Sequence, residues 1–157
     1  MKRLLPTYAI LFACISIAWA QPPAPLTTLS AISNISNAEA SHHRSVAFQA
    51  TVTYYRSYAY ELYMQDGDAA IYVNATTSLK LVPGDRVLVR GTMHESFRPY
   101  VESKDITLRS HGALPKPVQA NFDQMIRAEI DCKLVTARAV IRSANIVPNS
   151  ITMVTAI

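Results

Sequence analysis

The chain has 157 residues, half of them hydrophobic and only 17% charged, with 15 basic against 11 acidic side chains. That is one domain or a little more, and too apolar for a disordered chain. Gly67, Gly84, Gly91 and Gly112 lie too far apart for a phosphate-cradling glycine loop, and no second long apolar run follows the N-terminus, which excludes a multi-span membrane protein.

Residues 1–20 read as a secretory signal peptide. Lys2 and Arg3 form a basic start, Tyr8 to Trp19 an apolar middle, and Ala18-Trp19-Ala20 a small-x-small cleavage site. Cleavage after Ala20 places the protein in the periplasm or outside the cell; an uncleaved anchor is the alternative, and only then does the chain contact a membrane. Without Lys2 and Arg3, thirteen basic residues face eleven acidic ones, a net charge of +2. A balance so near neutral argues against a nucleic-acid partner. Cys132 is then the only cysteine, so no internal disulfide forms, and it reads as a small buried apolar residue.

Residues 21–44 read as a linker with a short helix. Leu26, Leu29, Ile32 and Ile35 recur at helical spacing, with Thr27 or Thr28 as the starting cap, and Ser36 with Glu39 has the form of a capping box. From Ser45 the period becomes two. Val46, Phe48, Ala50, Val52 and Tyr54 alternate with Ala47, Gln49, Thr51, Thr53 and Tyr55 along a long first strand, with Val46, Phe48 and Val52 as its core positions and Tyr54 at the loop bordering the outer face. Tyr60 to Gln65 give a second strand, Asp66-Gly67-Asp68 a hairpin turn, and Ile71 to Asn74 a third. Pro83-Gly84-Asp85 turns into a fourth strand ending at Gly91, and a fifth runs from Tyr100 to Leu108. Five short strands over 45–110 predict a small closed barrel.

A connector with a short helix follows at 111–126, capped by Asn121 with Gln124. Residues 127–157 then read as a second unit, with strands at 134–142 and 149–155. An offset of 89 residues sets Val135 on Val46, Ile141 on Val52 and Met153 on Met64, as an internal repeat would. The second unit reaches only its first hairpin, so the predicted fold class is mainly β: a five-stranded barrel, then an incomplete second unit, each preceded by short helices.

The segments Val52-Thr53-Tyr54-Tyr55, Leu62 to Gly67, Ile71-Tyr72-Val73 and Leu81 to Gly91 resemble a bacterial OB-fold module. The resemblance is to the exported OB-like region at the N-terminus of bacterial sensor histidine kinases and related signalling proteins. It covers residues 26–157 and implies a scaffold for recognition rather than any particular chemistry.

In an OB fold the outer face of the second and third strands binds chain-like ligands. Tyr63 and Tyr72, with Gln65 and Asn74 beside them, are the candidate binding residues on that face, and Arg90 is a candidate for added charge. Two tyrosines packing across strands is the bland alternative. No pair of carboxylates, no nucleophile with a histidine partner and no metal-ligand spacing stands out, so neither catalytic nor metal residues are assigned and no cofactor is expected. The adjacent His42 and His43 point to opposite sides of an extended chain. The expectation is a non-enzymatic exported recognition module with an unknown ligand, serving as the sensing region of a signalling protein or a truncated relative. The alternatives are a stand-alone oligosaccharide- or nucleic-acid-binding module and a structural module that self-associates through 127–157.

Overall fold

The computed structural model describes residues 23–147 and 150–156; the signal-peptide reading of residues 1–20 lies outside them. Two short helices come first. In α1 (Leu29–Ser33) the Thr28 hydroxyl accepts from the Ala31 N–H, which makes Thr28 the N-cap. In α2 (Asn37–Ala40) Ser36 and Glu39 bond reciprocally as a capping box. The sequence pattern anticipates both, because each needs only local partners.

Five strands then close into a barrel: β1 (Ser45–Arg56), β2 (Glu61–Asp66), β3 (Ala69–Ala75), β4 (Asp85–His94) and β5 (Tyr100–His111). Their order around the barrel is β1-β2-β3-β5-β4, returning to β1. All neighbours are antiparallel except β3 and β5, which run parallel over Val73–Ala75 against Val101–Ser103. This order is that of an OB fold. Closure depends on the length of β1, whose first half pairs with β4 and whose second half pairs with β2.

The core fills the barrel. Val46, Phe48, Val52, Leu62, Met64, Ile71, Val73, Val87 and Val89 are buried, as the alternation predicts. Met93 and Val101 join them, and α1 inserts Leu29 and Ile32 into the same cluster. The connection from β3 to β4 has no helix of its own.

Three features depart from the sequence reading. A bulge between Val52 and Tyr54 shifts the phase of β1, so Tyr54 faces outward and Tyr55 packs against the core. β4 does not end at Gly91 but continues to His94. A Cβ at Gly91 would lie 2.2 Å from the Glu102 carbonyl oxygen, so this glycine lets β5 approach rather than stopping the strand. The strand expected at 134–142 is divided, with β7 (Val135–Thr136) pairing in parallel with β6 (Val118–Gln119), and β8 (Val140–Val147) pairing with β9 (Ser150–Ala156). In that hairpin Met153 lies opposite Ala144, whereas Met64 lies opposite Val52 in the barrel. Between β6 and β7 lies α3 (Phe122–Ile126), capped reciprocally by Asn121 and Gln124. No helix among the described residues is long and apolar enough to cross a membrane.

Candidate functional site

Register places the aromatic residues. Tyr63 on β2 and Tyr72 on β3 are direct partners, with ring centroids 5.4 Å apart. The β1 bulge turns Tyr54 outward to stand 6.0 Å from Tyr63. The parallel seating of β5 on β3 brings Tyr100 to 5.8 Å from Tyr72. On β4, His94 stacks on Tyr100 at 5.5 Å, and His43 lies 4.6 Å beyond it. One aromatic side chain from each strand, in spatial order, thus forms a continuous stripe across the outside of the barrel. The rings are tilted by 58°, 45° and 40° at the three tyrosine steps, a geometry in which edges meet faces favourably.

An open groove of about 610 Å³ runs along the Tyr63, Tyr72 and Tyr100 part of the stripe. The loop between β4 and β5 forms one wall through Phe97 and Arg98, and residues 128–133 form another. Arg98 holds these walls together: its Nη2 donates to the Ala128 carbonyl at 2.7 Å and its Nε lies 3.5 Å from Asp131. At the stripe's other end the loop between β1 and β2 presents Tyr58 and Tyr60, both exposed, with the Arg56 guanidinium over the Tyr58 ring and bonded to Glu61.

The groove is a hydrogen-bonding and stacking surface. Burial, reinforced by the Glu61 carboxylate, raises the Tyr63 and Tyr72 phenols above their ordinary value, so both keep their protons at neutral pH. Burial, together with Asp131, pushes the Cys132 thiol up to about 12, which removes it as a nucleophile. Asp68, Glu129 and Asp131 line the groove against Arg98 and Lys133, and Arg98 is already bonded to a groove wall. Such a lining favours an uncharged or cationic ligand over a polyanion. Among the described residues, no three His, Cys, Asp or Glu side chains come together as a metal site.

Of the five candidate residues, Tyr63, Tyr72 and Asn74 line the groove. Gln65 does not present its side chain to a ligand. It is 3% exposed; its Nε2 donates to the Gly67 carbonyl and its Oε1 accepts from the Leu134 N–H, each at 2.9 Å. The connector returning from residue 134 covers it. Arg90 faces solvent away from the groove and pairs with Asp105 at 3.4 Å. Tyr100, Phe97 and Asp131 are groove residues that the sequence reading passed over. Tyr100 carried a usable signal, since it opens a strand directly after Pro99, but its place beside Tyr72 requires the β3–β5 pairing.

The strand order and this groove define the chain as an OB-fold domain. No protein-family model matches the sequence, and no curated protein does. Among solved structures, the hypothetical protein ygiW from E. coli is similar with 14% identity and a TM-score of 0.44, over 55% of this chain and 91% of its own. The Stn1–Ten1 complex of S. pombe is similar at 10% identity and a TM-score of 0.43, over 70% of this chain and 91% of the matched one. The telomere capping protein Ten1 of S. pombe is similar at 14% identity and a TM-score of 0.40, over 68% and 94%.

Proposed function

We propose that this chain is a non-enzymatic recognition module that works outside the cytoplasm and holds an extended, uncharged ligand such as an oligosaccharide in the Tyr63–Tyr72–Tyr100 groove. The observation that carries this reading is the stripe itself. Five strands each contribute one outward aromatic ring, and three of these rings line one open groove. Cross-strand pairing of rings also stabilises a sheet; what favours a ligand is the open groove along Tyr63, Tyr72 and Tyr100. Aromatic faces tolerate varied ligands by stacking, and the neutral phenols add directional hydrogen bonds. Export rests on the residue 1–20 pattern, and the resemblance to exported OB-like regions suggests a place as the sensing region of a signalling protein. A module of that kind needs selective binding and no chemistry.

The test is a titration followed by tyrosine fluorescence, since Trp19 is the only tryptophan and lies in the signal segment. Neutral oligosaccharides are expected to saturate a site that Tyr72→Ala and Tyr100→Ala each weaken. Binding of single-stranded DNA that weakens steeply with salt, with no response to the sugars, would replace this reading with nucleic-acid binding.

A further inference from the structure

The groove and the C-terminal hairpin complement each other. We propose that the β8–β9 hairpin of one copy of this chain docks into the groove beside β3 of a second copy, in a reciprocal dimer. The inference is independent of any other ligand the groove binds.

Three observations on the two surfaces support it. First, β3 meets β5 only over Val73–Ala75, so among the described residues Ala69 to Tyr72 have no strand on that side and border the groove instead. A strand segment with no neighbour is open to pairing with another chain. Across from it Phe97 is 86% exposed, an apolar surface held out to solvent. Second, among the described residues the hairpin has no further strand beside it. β8 and β9 bond to each other and to no other described strand, and Val140, Ile141 and Ile146 are exposed by 56%, 59% and 89%. A two-stranded hairpin is marginal alone in water and gains most from a surface that covers it. Third, the charges are complementary. From Leu134 to Ile157 the sequence carries Arg138 and Arg142 and no acidic residue. The groove lining carries three acids, Asp68, Glu129 and Asp131, against two bases, Arg98 and Lys133; Arg98 is committed to Asp131 and the Ala128 carbonyl, and Arg127 pairs with Glu129, so Asp68 is the acid most open to an incoming cation.

A symmetric pair uses both surfaces. Each copy offers one hairpin and one groove, so two-fold exchange satisfies both and leaves neither open to further growth. A dimer of this form covers the tyrosine groove, so a ligand that needs the groove pulls the equilibrium toward monomer.

The test uses charge exchange on the protein as isolated after export. Arg138, Arg142, Asp68 and Glu129 are all exposed, so their substitution leaves the fold intact, which near-ultraviolet circular dichroism verifies. Sedimentation equilibrium of the unaltered chain is expected to show a monomer–dimer equilibrium. One variant carries Arg138→Glu with Arg142→Glu; the other carries Asp68→Lys with Glu129→Lys. Each alone is expected to dimerise at least tenfold more weakly. A mixture of the two restores attraction at both contacts and is expected to recover the dimer. A chain that is monomeric at every concentration overturns the proposal. So does a dimer indifferent to both variants, as association through the apolar N-terminal segment would be. A mixture that fails to recover the dimer overturns the pairing of hairpin with groove.

Discussion

The Gln65 Oε1 accepts a hydrogen bond from the Leu134 main-chain N–H at 2.9 Å, across 69 residues of sequence. The same side chain donates to the Gly67 carbonyl at its own hairpin turn, so a single amide ties the β2–β3 turn to the start of β7. Gln65→Ala leaves both main-chain partners unpaired in a covered setting. The expected cost is about 1–3 kcal/mol of stability, read by denaturant unfolding. Leu134 amide exchange should rise more than that of any β1 residue. Unchanged Leu134 protection would mean that the connector is held by β6–β7 pairing alone.

Phe48 is 1% exposed at the centre of the core. Phe48→Ala is expected to cost about 3–5 kcal/mol, because neighbouring strands in a closed barrel cannot collapse into the space. The control is Tyr54→Ala. An unbroken two-residue period from Phe48 would turn Tyr54 inward, but the bulge leaves 49% of it exposed. Its loss should cost no more than a cross-strand pair, about 0.2–1 kcal/mol. Equal costs for the two substitutions would contradict the bulge.

Those two residues also show what was legible in the sequence and what was not. Inward positions from Val46 to Val52 follow strict period two because both ends of the barrel constrain one register. One inserted residue then moves every later side chain of β1 to the other face, and no residue type marks the spot. Gln65 has outward parity in its strand and a polar side chain, so the pattern reads it as open. What buries it is a backbone segment 69 residues away. Arg90 is a candidate for charge beside the tyrosines, and its position relative to the groove depends on where β4 lies around the barrel. The helix caps at Ser36 and Asn121 lie at the opposite extreme, since donor and acceptor are only three residues apart.

Asp85 gives the fold an acid limit. Burial on its own raises an aspartate, but here the Val82 N–H at 2.9 Å and the His111 Nδ1 at 3.0 Å outweigh it and hold the carboxyl below its ordinary value. A carboxyl depressed in the folded state contributes stability above its unfolded value, and that contribution is lost as pH falls through the folded value. The protein should therefore lose stability below about pH 4, the ordinary aspartate range. Asp85→Asn should be less stable at pH 7 and show a shallower decline between pH 4 and 2. Parallel curves for the two proteins would assign the acid limit to other carboxyls.

Cys132 reports on the groove wall. Its thiol is pushed up to about 12 by burial first and by the neighbouring Asp131 second, with Arg98 acting in the opposite sense. A thiol raised in the folded state contributes stability that is complete below the unfolded value, about 8.5, and is lost as pH rises toward the folded one. The wall formed by residues 128–133 should therefore loosen above about pH 9, before the barrel does. At pH 8 a thiol-specific reagent should modify Cys132 at least about a hundredfold more slowly in the folded chain than in denatured chain, because the thiolate is the reactive form. Arg98→Ala removes the bonds to the Ala128 carbonyl and Asp131 that fasten the wall. Although losing the cation alone would make the thiol less acidic, the variant should react faster, because detachment of the wall exposes it. A slower reaction in Arg98→Ala would show that Arg98 acts on Cys132 only through its charge, with the wall held by Gln65 and the β6–β7 pair.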